Sequence, residues 1–426
     1  MSRTVATMGA LMIAASAAAQ SAPPLSLRDA EARALQNHPQ ILVGQYTAQA
    51  GAELTRETRA AYFPSVNGNV TGAAAADGSR IAAGGLNNPI ILDRAAAGVS
   101  LSQLVTDFGR TSNLVQTASL RAQSLQQGVV VDRADVLLAV DRAYFNALRA
   151  QAILRVAEET VGARQLVTDQ VTALAQSNLK SGLDLSFARV NLSEAQLLLL
   201  QARNDRAASF AILGAALGQA DALMYALSEE PLPPAPPADA AAVIAKALRE
   251  RPDVVGERLA SEAAAKFADA ERALWFPTIA AIGAVGVTPW RQTGLTAGYS
   301  AIGVNVSVPL TNGNLFAARH TEASLRAKAE TERVRDLENR VTRDVRMALL
   351  EAQSAFQRMD LTDQLLEQAA QSQELAQARY SLGLSSIVEL TQAQLNKTRA
   401  EIEQASARYD YQARMAGLRY QVGDLR

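Results

Sequence analysis

The sequence of 426 residues contains no cysteine and only two histidines, His38 and His320. Disulfide bonds, thiolate metal sites and cysteine nucleophiles are therefore excluded, and two histidines alone cannot build a zinc site or a proton relay. The adjacent carboxylates Glu158-Glu159 and Glu229-Glu230 point in different directions on a helix or loop, so we interpret them as surface charges rather than acid/base pairs. We expect no catalytic residue, no metal and no cofactor, and predict that the protein is not an enzyme.

An excess of charge of either sign is also missing, because 41 lysines and arginines face 42 aspartates and glutamates, a formal net charge of -1. This balance does not favour nucleic acid as a partner. Aromatic residues make up only 5% of a chain that is 49% hydrophobic. Such a composition is typical of long Ala- and Leu-rich helices rather than of a compact enzyme core.

After residue 20 the sequence has no run of 18 or more apolar residues, the length that indicates a transmembrane helix. The mature chain is therefore expected either to be soluble in an exported compartment or to cross a membrane as strands. Residues 1–19 predict export, because Arg3 is followed by an uncharged, Ala-rich stretch that ends in Ala17-Ala18-Ala19, as in a secretory signal peptide. A short transmembrane helix is the alternative interpretation of this segment.

The two halves of the sequence resemble each other. The matched segments are 34–41 with 247–254, Tyr62-Phe63-Pro64 with Trp275-Phe276-Pro277, and Lys180-Ser181-Gly182-Leu183 with Ser381-Leu382-Gly383-Leu384. We predict an internal duplication, with repeat 1 over residues 20–227 and repeat 2 over residues 239–426. The Pro-rich segment between them, residues 228–238, is predicted to be a stiff linker because neither a helix nor a central strand accommodates its prolines.

The distribution of proline predicts where the helices lie. All fourteen prolines occur at or before Pro89 or between Pro231 and Pro309. The proline-free zones predict two long helical hairpins, over about residues 109–218 and about residues 314–423.

A heptad pattern supports this prediction. Apolar residues from Val334 to Ala369 recur at alternating spacings of three and four, as in a coiled coil, and the alanines among them permit close helix contact. Gly182 and Gly383 then interrupt the two copies, so each long helix is expected to fold back as an antiparallel hairpin.

Four segments alternate with a period of two and predict strands. They cover about residues 64–78, 90–106, 277–290 and 298–310. Their lengths, about ten to fourteen residues, are close to what a tilted strand needs to cross a bilayer. Trp275, Trp290 and Tyr299 lie near strand ends, where we expect aromatic rings to contact the membrane interfaces.

Four strands cannot close a barrel, and inside a bilayer every backbone N–H and C=O group must be paired. Copies of the chain must therefore complete the sheet. Two copies would supply eight strands around a filled interior, whereas three would supply twelve and leave a lumen. The predicted fold class is an α+β membrane protein whose long helices continue the barrel as a tube.

The sequence resembles the TolC-like outer-membrane efflux proteins over roughly residues 25 to 425. The resemblance is carried by the two-copy plan, the aromatic-Pro motifs that begin strands, the markers Asn37-His38-Pro39 and Arg251-Pro252-Asp253, and the hairpin segment from Tyr380 to Leu390. It implies a homotrimer with a twelve-stranded β-barrel in the outer membrane of a Gram-negative bacterium and an α-helical periplasmic tunnel. The partners it implies are a periplasmic adaptor protein, an inner-membrane transporter and outer-membrane lipid.

In that family the hairpin tips contact the adaptor. Here this points to Gly182 and Leu183 in the first copy, and to Gly383, Leu384, Ser385 and Ser386 in the second. Helix termination is the alternative interpretation of the glycines, because a glycine after the last helical turn adopts the left-handed conformation whatever lies opposite.

The resemblance also implies a narrow tunnel entrance formed by Tyr380, Glu389 and Gln392. Glu389 retains the acidic residue six positions after Gly383, whereas Gln392 departs from the acidic residue that the family has nine positions after it. Ser385 stands where the family often has a basic partner for the tyrosine. A solvated charge on a helix face is the alternative interpretation of Glu389.

The expected function is that of a passive conduit from the periplasm to the exterior, the outer-membrane channel of a tripartite efflux or type I secretion system. The residues do not distinguish small-molecule efflux from one-step protein secretion, since both use the same fold. A periplasmic coiled-coil adaptor or structural rod is the alternative function. It would account for the helices but not for four strands with aromatic ends.

Overall fold

The computed structural model describes residues 24–79, 91–219 and 224–425 of the chain. The predicted signal peptide, residues 1–19, lies outside the described residues. So does part of the predicted connection between the first two strands, residues 80–90.

Most of the described chain is helical. Its α-helices are α1 (Leu27–Asn37), α2 (Pro39–Arg59), α3 (Arg110–Gln176), α4 (Gly182–Ala216), α5 (Ala240–Glu250), α6 (Pro252–Arg272), α7 (Leu315–Ser381) and α8 (Ile387–Val422). Helix lengths recur in the two halves: α1 and α5 have 11 residues each, α2 and α6 have 21, and α3 and α7 have 67. Within the described residues, no helix combines the length and the hydropathy that crossing a membrane requires.

Each proline marker of the sequence separates two helices. His38 and Arg251 follow α1 and α5 in extended conformation, with a ψ of 127° at both, because a proline disfavours the helical region for the residue before it. Pro39 and Pro252 then begin α2 and α6. The first backbone N–H groups of a helix have no carbonyl partner within it, so a proline at this position costs no helical hydrogen bond. Arg251 also donates from Nε and Nη2 to the carboxylate of Asp253, at 3.0 and 2.7 Å.

The described strands form two sheets. The strands are β1 (Pro24–Leu25), β2 (Ser65–Ala73), β3 (Arg94–Thr106), β4 (Ala226–Leu227), β5 (Thr278–Arg291) and β6 (Gly298–Ser307). β1 and β4 form a short parallel pair, whereas the other four form an antiparallel sheet in the order β2-β3-β5-β6. β3 and β5, one from each half of the chain, are therefore the central strands, and β2 and β6 are the edges.

The two faces of the four-stranded sheet differ in polarity, because register partners share a face. The face called here the apolar face carries Val66, Val70, Val99, Leu101, Val285, Val287, Ile302, Val304 and Val306, all of them exposed. The opposite face, called the polar face, carries Asn67, Asn69, Ser100, Ser102, Ile282, Ala284, Gly286, Tyr299, Ala301, Gly303 and Asn305. An apolar surface of this extent marks contact with lipid or with another protein.

Burial along α7 confirms the predicted heptad seam. Val341, Ala352, Ala355 and Ala369 each have at most 8% of their surface exposed, and Ala376 extends the buried stripe. The small side chains allow the helices to approach closely, as the sequence pattern indicated.

The described residues form two compact units. The first comprises residues 24–38, 136–219, 224–236 and 351–416, and the second comprises residues 39–79, 91–135, 237–350 and 417–425. Each unit takes segments from both predicted repeats, so the units do not coincide with the repeats. The first unit contains both hairpin turns, and the second contains the four-stranded sheet.

Residues 228–236 of the Pro-rich linker belong to the first unit, where they are exposed or half-buried and bonded to its helices. The phenol of Tyr411 on α8 donates to the carbonyl of Pro234 at 2.5 Å. The phenol of Tyr144 on α3 is fully buried and lies 2.7 Å from the carbonyl of Ser228. These bonds attach the linker to two long helices at Ser228 and at Pro234.

Glu229 and Glu230, interpreted from the sequence as surface charges, both have partners. Oε2 of Glu229 lies 3.0 Å from Nη2 of Arg408, and Oε1 of Glu230 accepts a hydrogen bond from the N–H of Leu27 at 3.1 Å. Glu229 is a surface charge, with 48% of its side chain exposed, and the two carboxylates also join the linker to α8 and to the start of α1.

Candidate functional site

Both long hairpins end in the same backbone turn. In the second hairpin Gly383 has a φ of 74°. Its N–H donates to the carbonyl of Tyr380 at 3.1 Å, and the N–H of Leu384 donates to the carbonyl of Arg379 at 2.8 Å. This is a Schellman motif, in which a left-handed residue lets the chain satisfy the last helical carbonyls.

The first hairpin uses Asn178 in place of the glycine. Asn178 has a φ of 56°, and its N–H and that of Leu179 donate back to carbonyls of α3 at 3.0 and 2.9 Å. Asparagine is one of the few residues besides glycine that adopt this conformation readily. Asn178 and Leu179 are therefore the structural counterparts of Gly383 and Leu384.

The sequence alignment of the two tips is wrong in register. Gly182, matched to Gly383 by sequence, is the first residue of α4, and it is not among the glycines with positive φ. Helix termination is therefore the wrong interpretation of Gly182, since Asn178 ends α3. For Gly383, in contrast, the structure shows the helix-terminating conformation directly.

Serines begin both returning helices. Oγ of Ser181 accepts the N–H of Asp184 at 3.1 Å while the carboxylate of Asp184 accepts the N–H of Ser181 at 3.1 Å, a capping box. Oγ of Ser386 accepts the N–H of Glu389 at 3.3 Å in the second hairpin. Ser386, assigned to adaptor contact by the resemblance, thus has a structural role in starting α8.

A buried cluster joins the two hairpins behind their tips. Its members are Val171, Ala188, Ala376, Tyr380, Ile387, Leu390 and Ala393. Tyr380 is 8% exposed, and Nζ of Lys180 on the other hairpin lies 4.2 Å from the centre of its ring. A cation over an aromatic face is attractive, so Lys180 supplies the basic partner that Ser385 does not.

The environment of Tyr380 also keeps its phenol neutral. Burial, together with the negative charge of Asp184, raises the pKa of the Tyr380 phenol above its ordinary value. Among the described residues, neither its Oη nor the buried hydroxyl of Ser385 has a hydrogen-bond partner. Lys180 and Asp184, both from the first hairpin, thus place one cation and one anion near an uncharged ring of the second hairpin.

Glu389 and Gln392 line one groove between α7 and α8, with a volume of about 710 Å³. Oε1 of Glu389 lies 3.3 Å from Nε of Arg379, and Nε2 of Gln392 donates to Oδ1 of Asn396 at 3.0 Å. Glu389 is therefore an ion-paired carboxylate with 46% of its side chain exposed, a placement that fits both the tunnel-entrance interpretation and that of a solvated charge on a helix face. The partner on α7 weakens the negative potential that Glu389 creates.

The tips also expose large apolar side chains. Leu179, Leu183, Leu384 and Val388 have 70%, 66%, 67% and 55% of their surface exposed. The exposed leucines lie around the two turns. The capping hydrogen bonds already pair the backbone N–H and C=O groups of these turns. This tip surface suits an apolar protein partner. Within the described ranges no group of three or more His, Asp or Glu side chains is arranged to hold a metal ion.

Sequence reasoning missed Asn178, Leu179, Lys180 and Arg379. The sequence comparison aligned the Gly-Leu pairs at 182 and 383 because their residues match, although the two glycines have different backbone conformations. Aligning the copies on the N-cap serines, Ser181 and Ser386, would have found the correct register.

Comparisons with known proteins identify the class of protein to which this fold belongs, the outer membrane efflux proteins. The family model described as "Outer membrane efflux protein" matches residues 32–219 and 243–424. The chain is 23% identical to the outer membrane protein TolC of Vibrio cholerae, over 92% of this chain and 89% of that protein.

Two solved structures share the fold. One is a membrane protein from Pseudomonas aeruginosa, with a TM-score of 0.82 at 19% identity, covering 93% of each chain. The other is the outer membrane channel CmeC of Campylobacter jejuni, with a TM-score of 0.79 at 16% identity, covering 93% of this chain and 85% of that chain. The chain belongs to the outer membrane efflux protein family, and its location is the outer membrane.

The difference between the two tip glycines is testable. Gly383→Ala should lower the free energy of unfolding by about 1 kcal/mol, because an alanine at a φ of 74° is strained. Gly182→Ala is the matched control: a methyl group there meets nothing within 4 Å, and its effect should be below about 0.5 kcal/mol. Denaturant-induced loss of helical circular dichroism measures both, and equal effects would contradict the assignment of the turns.

Proposed function

We propose that the chain is the outer-membrane channel of a tripartite efflux or type I secretion system, a passive conduit from the periplasm to the exterior. The observation that carries the proposal is the four-stranded sheet with one apolar and one polar face. Strands that alternate apolar and polar residues suit a transmembrane barrel with lipid outside and water inside.

The proposed assembly is a homotrimer with a twelve-stranded barrel. In the described sheet, β2 and β6 each pair on one side only, and lipid cannot hydrogen-bond the free side of either strand. We propose that β6 of one copy pairs with β2 of the next until the sheet closes. Three copies leave a lumen, whereas two would give an eight-stranded barrel filled by side chains.

The long helices form the proposed periplasmic tunnel, built from an internal duplication of the chain. The equal lengths of α3 and α7, 67 residues each, and the two matches of the family model support the duplication. The tips are the proposed adaptor-docking surface, with Gly182, Leu183, Gly383, Leu384, Ser385 and Ser386 joined by Leu179. An inner-membrane transporter is the further partner in this proposal.

The alternative function, a periplasmic adaptor or structural rod, does not account for the exposed apolar face of the sheet. A rod would leave Val70 and Ile302, 88% and 93% exposed, in contact with water. Membrane fractionation separates the two functions, because a rod would be released without detergent.

The channel itself is the first prediction of this proposal. Purified protein should run as a trimer in detergent, and reconstituted in a planar bilayer it should show discrete conductance steps, because a twelve-stranded barrel encloses water. Ile302→Asp, which places a charge at the most exposed position of the apolar face, should reduce membrane insertion. A monodisperse monomer without conductance would rule out the channel.

The docking surface makes a second prediction. Leu384→Asp should reduce export in cells about tenfold or more, because a charge replaces the exposed apolar side chain at the centre of the tip. Trimer assembly should be retained, because the turn and its caps do not use this side chain. Leu384→Met, which keeps the site apolar, is the control. Export by Leu384→Asp at parental level and equal abundance would return the tip to a purely structural role.

The ion pair makes a third prediction. Arg379→Gln should increase cation selectivity, because the carboxylates of Glu389 would lose their partner 3.3 Å away. Glu389→Gln should shift selectivity toward anions, and the double variant should return close to the parent. Reversal potentials across a KCl gradient measure this, and both shifts should shrink as salt screens the charges. Parental reversal potentials in both single variants would place the pair away from the conducting path.

A further inference from the structure

Tyr299 lies on the polar face of the sheet. The sequence predicted a membrane-interface aromatic at this position, and the register corrects it. Asn69, Gly98, Gly286 and Tyr299 are successive register partners across β2, β3, β5 and β6, so they form one row on one face. The aromatic ring is thus on the side opposite the apolar residues that suit lipid.

The side chain of Tyr299 lies flat along this row. A methyl group placed on Gly286 would lie 2.5 Å from Cζ and from Oη of Tyr299, and one placed on Gly98 would overlap Oη and lie 3.0 Å from Cζ. The ring therefore crosses β5 and its hydroxyl reaches β3. Two facing glycines on adjacent strands provide a slot that no other residue type would leave open.

The slot is unusual for this face. On the polar face of the described strands, the other side chains are aliphatic, hydroxyl or amide groups and the guanidinium groups of Arg94 and Arg291, and Tyr299 carries the one aromatic ring. It is 42% exposed even though it lies against the sheet. A ring held upright would project into the space that the polar face encloses.

We infer that Tyr299 lines the lumen of the barrel and sets its bore, with Gly98 and Gly286 holding the ring flat against the wall. This inference rests on the proposed function, since the polar face encloses water only when copies of the sheet close. In a trimer the ring would recur three times at one level of the wall. The slot is then what keeps that level open to large cargo.

A structural role for the ring is the competing explanation. Aromatic side chains that cover glycines can stabilise a sheet by shielding its backbone. That role predicts that removing the ring weakens assembly and leaves the bore unchanged. The lumen role predicts the reverse, so trimer stability and conductance distinguish the two.

The cysteine-free sequence allows a direct test of which side the residue faces. Tyr299→Cys and Ile302→Cys each introduce the only thiol of the chain, on the polar and the apolar face respectively. A quaternary-ammonium methanethiosulfonate, added to channels in a planar bilayer, should lower the conductance of Tyr299→Cys by about half and leave Ile302→Cys unchanged, because the charged reagent travels through water. No effect on Tyr299→Cys, or an equal effect on both, would overturn the inference.

A second experiment tests the slot. Gly98→Ala should lower single-channel conductance by about half, because the ring must lift from the wall. The double variant Gly98→Ala/Tyr299→Ala should recover the conductance of Tyr299→Ala alone. The methyl group also lies 2.7 Å from the carbonyl of Val285, so a double variant that stays impaired would show that the backbone, and not the ring, is responsible.

Tyr299→Trp keeps the inference testable if Gly98→Ala does not assemble. The larger ring does not fit the two-glycine slot and should lower conductance, whereas Tyr299→Phe should match the parent. Parental conductance in Tyr299→Trp would overturn the inference. An absence of conductance in the parent protein would instead count against the proposed channel, so the two failures are separable.

Discussion

Backbone pairing at the edges of the four-stranded sheet constrains everything else about this chain. β2 and β6 each pair on one side only within the described residues, and a free edge is tolerable in water but not in lipid. The exposed branched residues of the apolar face are a second constraint, because they require a non-aqueous environment. In the proposed trimer, assembly would supply both the missing hydrogen bonds and the enclosed polar face.

Much of this architecture could be predicted from local patterns. The period-two alternation around Val99 and Ile302 indicated strands, the proline distribution indicated long helices, and the heptad spacing around Val341 indicated the buried seam of α7. Each of these signals is repeated over many residues, so one unusual position does not obscure it. The number of strands predicted an oligomer, and the family resemblance added the proposed trimer count and the proposed partners.

The parts that could not be predicted depend on single positions or on distant contacts. Asn178 adopts the left-handed conformation that the sequence comparison assigned to Gly182, because residue identity and backbone conformation are only loosely linked. Lys180 reaches Tyr380 on the other hairpin, a contact between residues far apart in sequence. The face of Tyr299 follows from strand register, where a shift of one residue moves every side chain to the other side.

The equal lengths of α3 and α7 have a consequence for how such a chain can change during evolution. Both helices have 67 residues, and Lys180 and Tyr380, which lie at or just beyond their ends, are in contact. An insertion in one helix alone would carry one tip past the other and would break that contact. It would also rotate the apolar stripe, unless the insertion spanned whole heptads. Descendants of this gene should therefore lengthen or shorten α3 and α7 together, in multiples of seven residues. The lengths of the two helices are then inherited as a pair.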